Sequence, residues 1–206
     1  MEKTISDATY AEYFVTNNKE FINTQVAGAR SIYMGAPVAL DDNRIVIAVD
    51  WPTGALTCSL AAQPDVPRNI TIALTDTDNS CTGTLTVTGL DPAGRTITEV
   101  LTPNVTAGVG KTLTGTKIFA YITSAKVAGG AGFGSGDQFI IGVGNVIGLP
   151  IDISWAASVI HVFLAAVYVS SPAVSTGVSL SGIDINTSTY NGSKVMWALV
   201  NSTKRI

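Results

Sequence analysis

The chain is 206 residues long, with 46% hydrophobic and 13% charged residues and a formal net charge of −3. That length allows one sizeable domain or two small ones, each with a real core, and the charge content lies well below the roughly 25% of an average soluble domain. No cluster of Lys and Arg is present, which argues against binding a nucleic-acid backbone, and the apolar run Trp155–Val169, interrupted by Ser158 and His161, falls short of the roughly 20 residues of a membrane helix.

Low charge has two readings: surface covered by other subunits, or a Thr/Ser/Asn-rich β-protein solvated by neutral polar groups. The charges are also unevenly spread. Residues 1–50 hold 11 of the 27 charged side chains, whereas residues 138–193 hold only Asp152 and Asp184.

The opening residues Met1–Asp7 carry acids and no apolar run, so no secretory signal is expected. Residues 6–26 are the one plausible helix. Ser6 and Asp7 can cap it, and Tyr10, Tyr13, Phe14, Phe21 and Ile22 form a partial apolar stripe at helical spacing. Asn17-Asn18 interrupts the stripe, so two short pieces or an extended arm remain open. The five apolar residues are the candidate subunit-interface anchors, because a segment this short and interrupted cannot form a core of its own. Ala27–Pro37 reads as an extended linker. Residues 1–43 are thus expected to form an arm and linker, and residues 44–206 a β-domain.

From Arg44 onward the hydrophobic period is two, the signature of a half-buried strand. Strands are expected at 45–49, 56–60 and 70–74, with Pro64 and Pro67 bracketing a rigid extended segment. A hairpin is expected over residues 83–102. Thr84, Thr86 and Thr88 alternate with Leu85 and Val87, and Asp91-Pro92-Ala93-Gly94 fits a type I turn. Further strands are expected at Lys117–Val127, Gln138–Val143, Ser158–Val169, Gly177–Ile185 and Lys194–Val200. Short strands separated by turn signals predict a mainly β fold, an antiparallel β-sandwich or jelly-roll-like domain with an N-terminal helical or extended arm.

The motifs that could carry chemistry are sparse. Gly110-Lys111-Thr112 resembles the end of a phosphate loop, but position 105 is Val rather than Gly and a strand rather than a helix should follow. The glycines of 129–136 read as a loop between strands, and Asp137 beside them lacks the neighbouring carboxylates that calcium needs. Cys58 and Cys81 match no zinc or redox spacing and read as isolated half-buried thiols. His161, the one histidine, is expected to be buried and structural, on the strand face shared by Val159 and Phe163. No Gly-x-Ser-x-Gly accompanies it. The acids Asp41-Asp42 and Asp76/Asp78 lie among turn residues. Trp51, Trp155 and Trp197 are expected in core or interface packing. No catalytic residue, cofactor or metal site is expected, and no enzymatic activity.

Three segments carry a resemblance. They are Gln63-Pro64-Asp65-Val66-Pro67-Arg68-Asn69-Ile70-Thr71-Ile72, the hairpin run Gly83 to Glu99, and Gly136 to Pro150. In this order and spacing, across residues 60–150, they resemble small β-rich virion proteins of tailed bacteriophages associated with the head. The resemblance implies a capsid decoration (cement) or minor capsid protein on the virion surface, made in the host cytoplasm. The implied partners are the major capsid protein and other copies of the chain, as a trimer or dimer, with no nucleic acid and no membrane. A tail, neck or head-fibre component, or a carbohydrate- or receptor-binding β-module, are the alternatives.

Overall fold

The computed structural model describes residues 29–201 except 53, 76–80, 103, 106–110, 131–135, 166, 171, 178 and 186–189. Strands are numbered in chain order. A hairpin sheet has the order β3 (Leu56–Thr57), β10 (Tyr121–Ala128), β6 (Thr84–Leu90), β7 (Thr96–Leu101). A central sheet has the order β14 (Ala173–Ser175), β15 (Gly182–Asp184), β11 (Gln138–Gly148), β4 (Arg68–Thr75), β9 (Lys111–Thr114), and β2 (Asp41–Asp50) also pairs with β11. A terminal sheet has the order β1 (Ala29–Tyr33), β16 (Met196–Asn201), β12 (Val159–Leu164), β13 (Val167–Tyr168). A ribbon pairs β5 (Cys81–Thr82) with β8 (Asn104–Val105). All pairings are antiparallel. Among the described residues the one helical element is a 3-10 turn at Ala156–Ser158. The architecture is the expected antiparallel sandwich.

Two apolar cores fill it. The first lies between the hairpin and central sheets and contains Leu85, Val87, Ile122, Val127, Ile70, Ile72, Phe139 and Ile141. The second lies under the terminal sheet and contains Ile32, Met34, Val162, Leu164, Met196, Ala198, Val200, Ile147 and Ile183. Strand β11 runs through both: Phe139, Ile141 and Val143 belong to the first and Ile147 to the second. Strands enclosed on both faces read as nearly continuous apolar runs, and the sequence of β11, QFIIGVGNVIG, has that character.

The crossing between cores is held by polar side chains. Register between β11 and β4 shifts between Val143 and Ile147. The buried Asn69 fills that irregularity, accepting from the Val146 amide at 2.9 Å and donating to the Gly115 carbonyl at 3.0 Å. Gly144 must be glycine here, since a Cβ would overlap the Asn69 amide. Next to it the fully buried Arg68 donates to the carbonyls of Gly144 (2.7 Å) and Val38 (3.0 Å) and pairs with Asp65 at 3.2 Å. Its guanidinium lies 5.7 Å from the centre of the Tyr190 ring. A buried charge is tolerated when paired and hydrogen-bonded in this way.

Several expectations are corrected. Residues 29–34 are no linker: β1 pairs along its whole length with β16, and Ile32 and Met34 are core residues. The stretch Ser158–Val169 is a tight hairpin rather than one strand, because Ala165 adopts φ 51° and reverses the chain between β12 and β13. The Asp91–Gly94 turn has the expected form, with Gly94 at φ 79° and its amide donating to the Asp91 carbonyl at 2.9 Å. Asp91 is buried and accepts from the Ser179 hydroxyl at 2.9 Å, so the turn is tied to a distant segment. Strand β7 also breaks the simple rule for wet and dry faces, since Glu99 is buried and Val100 is exposed. Glu99 accepts from the amides of Thr116 (2.6 Å) and Lys117 (3.2 Å), groups that its burial satisfies.

Candidate interaction surface

The terminal sheet turns one face to the second core and the other outward. Direct cross-strand partners share a face. Tyr33 lies opposite Trp197, Trp197 opposite Phe163, and Phe163 opposite Tyr168. These pairings draw one row of four aromatic residues across all four strands. The Tyr33 and Trp197 rings meet edge to face, with centroids 5.0 Å apart and planes at 62°. Phe163 and Tyr168 meet at 6.1 Å and 61°. His161 joins from the next position along β12, its ring 5.4 Å from Tyr168 at 80°.

The rings pack as quadrupoles favour, edges toward faces. Phe163 in the middle of the row is buried and Trp197 half-buried, whereas the ends are open: Tyr33 and Tyr168 are 58% and 54% exposed, and Trp155, ahead of β12, is 58% exposed. Arg30 is the one Lys, Arg, Asp or Glu in the four strands. A charge-depleted, aromatic-rich patch of this kind has the composition of an interface core.

His161 is half-buried rather than buried, a correction to its expected place. It does share a face with Phe163 but not with Val159. Register slips between the pairs Val159–Val200 and His161–Leu199, so Ile160 is an extra residue and Val159 packs against the second core. A β-bulge of this kind re-aims the side chains on either side of it. A pocket of about 190 Å³ opens beside the histidine, lined by Val159, Ile160, Val162, Tyr168, Val169 and Val174 among others. Most of the side chains lining it are apolar, with His161 and Tyr168 adding polar edges.

Electrostatics concentrate elsewhere, at the end of the hairpin. Arg95 donates from Nε to Asp91 Oδ2 at 2.6 Å and from both terminal nitrogens to Asp152, at 2.5 and 2.9 Å. The Ser179 amide also donates to Asp152 at 3.1 Å. The Arg95 guanidinium holds the Asp152 carboxyl below its ordinary range against partial burial. At Asp91 burial acts upward, but the Arg95 amide, the Ser179 hydroxyl and the guanidinium outweigh it and the carboxyl is lowered. This cluster joins three chain segments and is structural in form. Among the described residues no group of three or more His, Cys, Asp or Glu is arranged to hold a metal.

Tyr10, Tyr13, Phe14, Phe21 and Ile22, the anchors expected from sequence, lie outside the described residues, as do Asp76 and Asp78. Lys111–Thr114 is strand β9, as expected of the segment after Gly110. Cys58 is a buried free thiol whose pKa burial pushes up. Trp51 is a core residue packed edge-on to Phe139 at 5.1 Å, whereas Trp155 is exposed. The aromatic row was not foreseen. Its signal was Tyr33, Phe163, Tyr168 and Trp197 on strand-like segments, but only register shows that they align.

No family model matches the chain, and no curated protein matches it. Among solved structures, a chain in the structure of infectious bursal disease virus Gx strain is similar at 14% identity and a TM-score of 0.26, over 84% of this chain and 36% of its own length. The chain therefore spans about a third of that viral chain. At that TM-score the two do not superpose as one fold.

Proposed function

We propose that this protein is a non-enzymatic structural component of a virus particle, a capsid decoration or minor capsid protein of a tailed phage. In this reading it sits as a homo-oligomer on the lattice of the major capsid protein. The observation that carries the structural role is the aromatic row on the charge-poor terminal sheet, with Tyr33 and Tyr168 exposed at its two ends, a surface suited to burial against protein. The phage head as its setting rests on the resemblance of residues 60–150. Many modest contacts repeated over a lattice would give firm retention without any single tight interface.

The rival reading as a carbohydrate-binding module is disfavoured by the tilt of the rings. A sugar platform needs ring faces lying parallel and open, and here Tyr33 with Trp197 and Phe163 with Tyr168 stand near 60° to one another. Mass spectrometry of purified particles is the direct test. The chain should be present in fixed ratio to the major capsid protein, and its absence from particles overturns the proposal. Binding of the free protein to a glycan array, lost in Tyr168→Ser, would favour the rival.

A further inference from the structure

The turn that leads into β16 joins two residues whose structural duties make their pairing chemically reactive. Asn191 and Gly192 form the single Asn-Gly pair in the chain. Asn191 is exposed, and its side-chain oxygen accepts from the amides of Ser193 and Lys194, both at 3.0 Å. Gly192 stands at φ 74°, and a Cβ there would come within 3.1 Å of Val38 Cγ1. The first duty calls for a short side-chain acceptor and the second for glycine. We propose that Asn191 is a site of spontaneous covalent modification in the folded protein, converting to aspartate and isoaspartate and loosening the entry to β16. The proposal goes beyond the particle role above and does not depend on it.

Attack by a backbone nitrogen on the preceding Asn side chain is intramolecular and closes a five-membered ring, so no encounter between molecules is needed. The Gly192 nitrogen loses its proton to hydroxide and bonds to Asn191 Cγ. The bond from Cγ to Nδ2 then breaks, and Nδ2 takes a proton from water and leaves as ammonia. Water opens the resulting succinimide at either carbonyl. Breaking the new bond to Cγ gives aspartate on the original main chain. Breaking the original peptide bond gives isoaspartate, with the main chain running through Cβ and Cγ.

The structure favours the first step in three ways. Gly192 has no side chain to shield its nitrogen. The Ser193 and Lys194 amides point at the oxygen on which negative charge develops, as the donors of an oxyanion hole do. Exposure of Asn191 lets ammonia depart into solvent. One contact opposes it, since the Gly192 amide donates to the Pro37 carbonyl at 2.9 Å. That single bond tethers an exposed turn, and its local opening sets the pace.

The two products differ in consequence. Aspartate keeps an acceptor for both amides and adds one negative charge to a formal net charge of −3. Isoaspartate inserts an extra main-chain carbon and moves the acceptor from its place. The insertion falls between two fixed points. Tyr190 is buried beside Arg68, and Met196 is a core residue whose amide donates to the Gly35 carbonyl at 2.7 Å. The added length is therefore taken up in the turn between them.

The test holds the full chain folded in mildly alkaline buffer beside a sample unfolded in urea, and maps both by peptide mass spectrometry with electron-transfer fragmentation. The folded sample should gain about 1 Da at residue 191, as a mixture of aspartate and isoaspartate. Asn191→Gln has to close a larger ring and should slow the gain about tenfold or more. In the isoaspartate fraction, hydrogen exchange at the Ser193 and Lys194 amides should rise about tenfold. Residue 191 left intact in the folded sample after the unfolded one has converted overturns the proposal, because the Pro37 tether then protects the bond. Conversion of Asn191→Gln at the unaltered rate overturns the succinimide route. Conversion to isoaspartate with unchanged exchange at Ser193 and Lys194 overturns the loosening of the entry to β16.

Discussion

The hairpin sheet and the terminal sheet are both four-stranded, both antiparallel and both packed on β11, yet their outer faces differ. The hairpin sheet shows solvent a band of threonines, among them Thr86, Thr88, Thr96 and Thr98, with Thr88 and Thr98 hydroxyls 3.2 Å apart. The terminal sheet shows Tyr33, Trp197 and Tyr168 instead. Threonine suits a strand through its branched Cβ and still satisfies water through its hydroxyl. Aromatic rings suit a strand equally well but leave large apolar area uncovered. The contrast is one of proportion, since Val100 and Tyr121 are exposed among the threonines; the hairpin sheet is mainly hydroxyl-bearing and the terminal sheet mainly aromatic.

The largest expected effect tests whether the two halves are one folding unit. Phe139→Ala removes a buried ring from β11 in the first core and should cost about 3–5 kcal/mol in urea denaturation. Met196→Ala, in the second core, should cost about 2–5 kcal/mol. Because β11 belongs to both cores, each variant should lower a single common transition. Two separate transitions would mean that the halves unfold independently.

A smaller effect belongs to the hairpin half. Glu99→Ala leaves the Thr116 and Lys117 amides without their acceptor and should cost about 2 kcal/mol. Hydrogen exchange should then rise at residues 115–118 and leave the terminal sheet unchanged.

The cluster around Arg95 should make stability depend on pH. Asp91 and Asp152 both have folded-state pKa values below those of the unfolded chain. The unfolded chain therefore binds more protons on acidification. The stabilisation is complete above the unfolded carboxylate value of about 3.9 and is lost as pH falls through the lowered values. Thermal midpoints should drop below about pH 4, and Arg95→Ala should flatten that drop. An unchanged acid profile in Arg95→Ala would show that the cluster does not contribute.

The smallest effect on stability falls on the aromatic row. Tyr168→Ser should cost about 1 kcal/mol or less, since it loses edge contacts with Phe163 and His161 but little buried area. Its association should change far more than its melting point, as read by light scattering across a concentration series. The matching exposed change on the other sheet, Thr98→Ser, should alter neither.

The hairpin was legible in the sequence because its signals are local. Alternation fixes the faces of β6 and β7, and Asp91-Pro92-Ala93-Gly94 fixes the turn between them. The terminal sheet was not, because its pairings join distant segments. Nothing around Ala29–Tyr33 indicates that its partner is Met196–Asn201, and so a core strand read as a linker. The turn at Ala165 was hidden for another reason: alanine gives no sign of the left-handed conformation that glycine or asparagine would announce. Buried Arg68, Asn69 and Glu99 were also invisible, since polar residues are assigned to surfaces until their partners are known. The interaction surface follows the same logic. Each aromatic residue was visible singly, but the row exists only through register.

The pairing of β1 with β16 also orders events during synthesis. Ala29 emerges early, but its partner Asn201 follows only after almost the whole described chain has been made. At about 5–20 residues per second that interval is on the order of ten to thirty seconds. The hairpin sheet and most of β11's neighbours can assemble on the ribosome meanwhile, while Ile32, Tyr33 and Met34 wait without a strand to join. A nascent chain in that state exposes an unpaired edge and half of an unfinished core, so chaperone engagement should centre on the first-made strand. Ribosome profiling of chaperone-bound nascent chains should show that engagement beginning once β1 has left the exit tunnel and persisting through the synthesis of residue 201.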